Sequence, residues 1–147
     1  MIKLEFDESK EMEFFINFHG AHILRINTTD SDIFLKEAKI FDSEVIKNLD
    51  SENRCKIIYI VDKLPPLSAV LTFVQSPFSE VSWGAYAVIT PKDESIISKF
   101  IPVVSFGLNM TELKNKYAMK VFDYENRDDL TEVFNWLKEN ESKKVKD

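Results

Sequence analysis

A single cysteine, Cys55, three glycines and five prolines are all that this 147-residue chain holds of its most structurally constraining residue types. One cysteine excludes an internal disulfide and a cysteine-based zinc site, so no metal centre is expected and a reducing compartment fits best. With only Gly20, Gly84 and Gly107 there is no glycine-rich phosphate loop, and neither Gly-x-Ser-x-Gly nor His-Glu-x-x-His occurs. A basic excess is missing too. The chain has 25 acidic and 19 basic residues, a formal net charge of −6, and scattered lysines. Nucleic-acid binding by counterion release needs a basic stripe, so no nucleic-acid partner is expected. An acidic surface also gains nothing from an anionic membrane leaflet. The longest apolar runs, Ile57–Val61 and Phe100–Leu108, fall far short of the ~20 residues of a membrane span, so no integral membrane segment is expected. The opening Met-Ile-Lys-Leu-Glu-Phe-Asp meets charge within three residues and does not read as a signal peptide. Cytoplasmic localisation is the expectation.

What the chain does have is apolar and aromatic substance. The hydrophobic share is 44%, with twelve Phe, four Tyr and two Trp. A domain of this length buries roughly 68–70% of the surface its unfolded chain exposes, so a core needs no staples. No linker or repeat divides the chain; one domain is expected over 1–138, followed by a polar tail at 139–147.

The N-terminal third alternates with a period of two through Ile2, Leu4 and Phe6, then Met12, Phe14, Ile16 and Phe18, then Ile23, Leu24 and Ile26. This predicts three short antiparallel strands, with Asp7–Lys10 and His19–Gly20 as turns. At Thr29-Asp30-Ser31-Asp32 the pattern changes to a capping-box-like helix start, with Thr29 and Asp32 as the pair. Phe34, Ala38, Phe41, Val45 and Leu49 then form one helical stripe ending near Asp50. Lys56-Ile-Ile-Tyr-Ile-Val-Asp62 predicts a strand covered on both faces, the central strand of a sheet. After Pro65-Pro66, Leu67, Val70, Leu71 and Val74 carry helical spacing until Ser76-Pro77 stops the helix, and a second buried strand spans Trp83–Ile89. Asp93–Leu108 has a helical pattern that Pro102 must kink or divide. Met119–Phe122 predicts a short strand, and Asn126–Asp129 can cap a last helix with Leu130, Val133, Phe134 and Leu137 on one face. The order is βββ-α-β-α-β-α-β-α, an α/β fold with N-terminal antiparallel strands and parallel β-α-β units in one mixed sheet.

This order, with the closing pattern Met119-Lys-Val-Phe-Asp-Tyr then Leu130-Thr-Glu-Val-Phe-Asn-Trp-Leu137, resembles the SpoIIAA-like proteins, the bacterial group of STAS/SEC14-like domains. The Ile57–Asp62 strand, a serine-containing turn into the next helix, and Ala85–Ile89 followed by Ile96–Phe100 look like that group's middle section. The likeness covers most of residues 20–138. It implies a non-enzymatic regulatory domain that binds a protein partner, or, as in SEC14-like relatives, a carrier or sensor of a small apolar ligand. Antagonists of the wider STAS class end a strand in Asp-Ser-Ser-Gly, the serine at the helix start accepting phosphate. Here the stretch reads Asp62-Lys-Leu-Pro-Pro-Leu-Ser68, without the double serine and glycine. Ser68 is the candidate phospho-acceptor left by the comparison, although a serine there ordinarily only caps a helix.

The remaining candidates each have a plain alternative. Asp62, at a strand's carboxyl end where ligands gather in open α/β sheets, is a candidate polar site or simply a turn former. Cys55 lies between Arg54 and Lys56, which could lower its thiol pKa, or is an inert half-buried cysteine. An enzyme using Asp62 or Cys55 is the outlying alternative; no catalytic residue and no cofactor is assigned. His19 and His22 read as surface or turn histidines, because residues three apart on a strand face opposite ways. Finally Trp83, Tyr86, Phe100, Val104 and Phe106 are candidates for an apolar pocket or a homodimer face, with ordinary core packing as the alternative.

Overall fold

Two hydrophobic faces have to be buried in a sheet whose central strands are apolar on both sides, and the layers follow from that need. The structure, a computed structural model, describes residues 1–74, 83–91, 102 and 117–140. Five strands lie side by side in chain order: β1 (Met12–Phe18), β2 (Ala21–Asn27), β3 (Arg54–Lys63), β4 (Trp83–Ile89) and β5 (Tyr117–Phe122). β1 and β2 pair antiparallel; β2, β3, β4 and β5 pair parallel. The expected neighbourhood of the two inner strands is present, with Ile57 opposite Tyr86 and Ile60 opposite Ile89.

Helix α1 (Ser31–Lys47) joins β2 to β3, and α2 (Leu67–Val74) follows β3. Because the strand order advances in one direction, right-handed crossovers place successive helices on the same face. Phe34, Ala38, Phe41 and Val45 of α1 and Ala69, Val70 and Phe73 of α2 accordingly share one core with Leu24, Ile26, Ile57, Val61, Tyr86 and Val88. The opposite face, with Ile23, Ile58, Ile60, Ala87 and Ile89, needs a separate cover. It is roofed by α3 (Thr131–Asn140), through Val133 and Leu137, and by the N-terminal segment through Ile2, Leu4 and Phe6.

That N-terminal segment corrects one expectation. Residues 2–6 alternate in burial as a strand would but form no strand; the Ile2 amide donates to Thr131 Oγ1 (3.0 Å), and the Leu130 amide donates to the Ile2 carbonyl (2.8 Å). The alternation is satisfied by packing flat across the sheet rather than by joining its edge. The helix cap is also shifted: Asp30, not the Thr29–Asp32 pair, caps α1, its carboxylate accepting from the Asp32 and Ile33 amides at 2.9 Å. A 3₁₀ turn at Tyr124–Arg127 precedes α3, which runs past residue 138 and buries Asn140. The helix expected over Asp93–Leu108, and with it Phe100, Val104 and Phe106, lies outside the described residues except for Pro102.

Gly84 shows how little room the Tyr86 ring leaves on its own strand. A Cβ at this position would lie 2.7 Å from the Tyr86 hydroxyl and 2.8 Å from its Cζ, because the phenol ring leans over the glycine. Gly84→Ala is therefore expected to destabilise the fold by about 1–3 kcal/mol, the usual range for overpacking. A urea midpoint unchanged by the substitution would show that the ring swings aside freely.

Candidate functional site

The strand-end carboxylate is not an open site. Arg25 lies in the apolar run Ile23-Leu24-Arg25-Ile26 and is fully buried on the face of β2 that turns toward the N-terminal segment. A cation there must be paired, since an isolated charge in a low-dielectric interior costs many kcal/mol. Its Nε donates to Asp62 Oδ2 at 2.5 Å, one Nη to the Asp7 carbonyl at 3.1 Å, and the other to Glu8 at 2.6 Å. Arg127 grips the same carboxylate from the 3₁₀ turn, with Nε on Oδ1 and Nη2 on Oδ2, both at 3.0 Å, and reaches Glu8 at 2.8 Å. The Tyr124 hydroxyl donates to Asp62 Oδ1 as well. The Phe6 ring is flanked by both guanidinium groups, with centroid distances of 5.6 Å to Arg25 and 4.9 Å to Arg127.

Burial alone would raise the Asp62 carboxyl, but the Tyr124 hydroxyl and the two arginines more than offset it and hold its pKa below the ordinary value. The Tyr124 phenol moves the other way, pushed up to about 12 by burial and by its bond to that carboxylate. Asp62 thus accepts four donors and joins β2, β3, the N-terminal segment and the 3₁₀ turn. It acts as a clasp.

At Cys55 burial outweighs the basic neighbours that could have lowered the thiol pKa, and the residue is buried rather than half-buried. Burial pushes the thiol up to about 12, with Asp50 and Asp42 adding to the effect against a weak contact to the Tyr86 hydroxyl at 4.0 Å. Neighbours one residue away on a strand point to the other face, so Arg54 and Lys56 do not turn toward the sulfur. The thiol shares its surroundings with Tyr59 and Tyr86, whose rings stack at 6.3 Å and whose hydroxyls burial raises well above the ordinary value. Sequence reading missed the fourth member of this group, Asp42 of α1. It is buried, its Oδ1 has no hydrogen-bond partner among the described residues, and burial pushes it up to about 8.

Trp83 and Tyr86 do not share a lining. They extend to opposite faces of β4, Tyr86 under α1 and α2, Trp83 on the α3 side, and both are buried. Ser68 is the second residue of α2 and exposed; the Ala69 and Val70 amides donate to the Pro66 carbonyl, and no acidic residue occupies the first turn of the helix.

At the amino ends of β3 and β4 a cavity of about 280 Å³ opens, lined among others by His22, Arg54, Lys56 and Trp83. Its wall is made where the β1–β2 turn forces the chain into left-handed conformations, with φ of 58° at Asn17, 50° at His19 and 84° at Gly20. That turn aims the Asn17 amide at His22 Nδ1 (3.1 Å) and the Asn17 side chain at Asn48 Oδ1 (2.9 Å), the residue capping the C-terminus of α1. His19 fits the turn reading, stacked edge-on against Phe18 and Phe134. His22 is not a surface histidine; it is 3% exposed, and burial depresses its pKa.

Among the described residues no group of three or more His, Cys, Asp or Glu is arranged to hold a metal, and no described helix is long and apolar enough to cross a membrane. Searches among protein families, characterised proteins and solved structures find no match to this chain.

Proposed function

We propose that this chain is a non-catalytic α/β domain that acts by binding another protein, a regulatory module of the SpoIIAA-like, STAS type. The observation that carries the reading is the state of Asp62 and Cys55, the two groups named for the enzymatic alternative. Asp62 has both oxygens filled by Arg25, Tyr124 and Arg127, and Cys55 is buried, its thiol pushed up to about 12.

Ser68 supports the same reading as a control point. It is exposed at the start of α2, and phosphate would add about −1.5 to −2 charges where the helix dipole favours them and where no first-turn carboxylate opposes them. The other reading, a carrier of a small apolar ligand, has less support: the cavity that Trp83 lines is shared with Asn17, Asp50, Arg54 and Lys56.

The test is co-elution. Purified wild-type chain added to an extract of its own source cells is expected to leave a sizing column with one stoichiometric protein, and Ser68→Glu is expected to change that association by roughly tenfold or more. Turnover in a substrate screen that disappears in the Asp62→Asn, Cys55→Ala double variant would overturn the reading.

A further inference from the structure

We infer that the outer edge of β1 is a docking surface for an extended segment of a partner protein, one that alternates apolar with basic residues and adds to the sheet as a further strand, an assignment that rests on the protein-binding reading. β1 stands at the end of the strand order and pairs only with β2 among the described residues. An antiparallel ladder directs alternate residues inward to the partner strand and outward. The Asn27 amide donates to the Glu11 carbonyl at 2.9 Å. In the same register Glu13 lies opposite Arg25 and Phe15 opposite Ile23, so these residues bond inward in turn. Met12 and Phe14 therefore turn their amides and carbonyls outward, as a template for another strand. Free edges are ordinarily blunted by lysine, proline or a bulge. β1 reads Met-Glu-Phe-Phe-Ile-Asn-Phe, with neither lysine nor proline. Its irregularity, the register shift between Phe15 and Phe18 with left-handed Asn17, lies past the outward pair and closes only the far end of the edge.

Beside that edge is a groove of about 790 Å³ between β1 and the first turns of α1. Met12, Phe14 and Ile33 give it an apolar lining, against which alternate side chains of an added strand would pack. Glu11 and Glu37 line it as well, and neither has an ion-pair partner among the described residues. Glu13 is already engaged, by the Asp7 amide at 3.0 Å and by Arg25 at 3.8 Å. Lys10 is the one cation among the described lining residues. Two unpaired carboxylates against one ammonium suit a segment that carries lysine or arginine between its apolar residues. A second copy of this chain is the poorer occupant, because it would bring the same two carboxylates to the interface in a chain of net charge −6.

The experiment is an amide-resolved NMR titration of the full chain with three short synthetic peptides: alternating lysine and valine, alternating glutamate and valine, and the lysine-valine peptide N-methylated throughout. Saturable shifts centred on Glu11–Phe14 and Ile33–Glu37, with a Kd of roughly 1 mM or tighter, are expected for the lysine-valine peptide, together with slowed hydrogen exchange at the Met12 and Phe14 amides. The N-methylated and glutamate-valine peptides are each expected to bind at least roughly tenfold more weakly. Combining Glu11→Lys with Glu37→Lys is expected to reverse the preference between the lysine and glutamate peptides. Met12→Pro, which removes an outward donor without touching the ladder to β2, is expected to weaken binding about tenfold. Absence of saturation, shifts centred elsewhere, or equal affinity for the N-methylated or glutamate peptide would overturn the edge site. Concentration-dependent shifts of Met12 and Phe14 in the chain alone would overturn it in favour of a second copy. A protein that co-elutes at full strength with the Glu11→Lys, Glu37→Lys variant would also overturn the edge while leaving the protein-binding reading in place.

Discussion

Asp62→Leu is expected to destabilise the fold by about 3–5 kcal/mol, the range for removing one partner of a buried ion pair, whereas Arg25→Met should be the milder change. The difference comes from what each substitution leaves behind. Without Asp62 the Arg25 guanidinium stays fully buried, with its charge met among the described residues by Glu8, whose side chain is 67% exposed, and by Glu13 at 3.8 Å. Without Arg25 the Asp62 carboxylate keeps Arg127 on both oxygens and the Tyr124 hydroxyl on one. The double variant, apolar at both positions, should recover part of the loss, because no buried charge is then left unpaired on β2 or β3. Urea denaturation of the three proteins checks this. Equal losses in the two single variants, or a double-variant loss equal to their sum, would show that the clasp is not coupled. The sign with pH is also defined: the Asp62 pKa is lowered on folding, so its contribution is present above the ordinary carboxylate range and is lost as pH falls through the folded value.

Asp42 should do the reverse. Its carboxyl is raised from 3.8 to about 8 on folding, so the folded chain retains a proton that the unfolded chain releases. Stability is then lost progressively as pH rises between those two values and levels off above the upper one. At neutral pH the penalty is at most roughly 4 kcal/mol, at about 1.4 kcal/mol per pKa unit. Asp42→Asn, which cannot ionise, is expected to match the wild type near pH 4 and to exceed it in stability by about 1–4 kcal/mol near pH 8. His22 titrates in part of this interval with the opposite sign, its folded pKa being lowered, but it is common to both proteins and cancels in the comparison. Urea midpoints across the pH range that run parallel for wild type and variant would refute the assignment. A buried acid with one oxygen unpartnered among the described residues, near Cys55, Tyr59 and Tyr86, is a local departure from an otherwise apolar helix face, and such departures concentrate at functional positions.

Both residues could be noticed in the sequence without their surroundings being derivable. Asp42 follows Phe41 and lies four residues after Ala38, on the edge of the α1 stripe, and Arg25 interrupts an apolar strand. Periodicity marks each as misplaced. It does not supply partners, because Asp62 is 37 residues from Arg25 and Arg127 is 65 residues from Asp62. His22 was hidden for a related reason: a two-residue period places it on a face but does not reveal that the turn before it folds back onto its ring.

What the sequence by itself determined is the local order of the described chain: the α1 stripe, the start of α2, the β4 segment, the double-sided burial of β3, and the switch from antiparallel to parallel pairing. These rest on interactions within a few residues, or on the requirement that an apolar face be covered. Only the tertiary structure decided which element covers which face. With α1 and α2 forced onto one side by the handedness of their crossovers, the other side fell to α3 and to an N-terminal segment that reads as a strand yet lies across the sheet. That placement brings Glu8 and Phe6 to Arg25, Asp62 and Arg127, a meeting set by long-range packing rather than by any neighbouring residue.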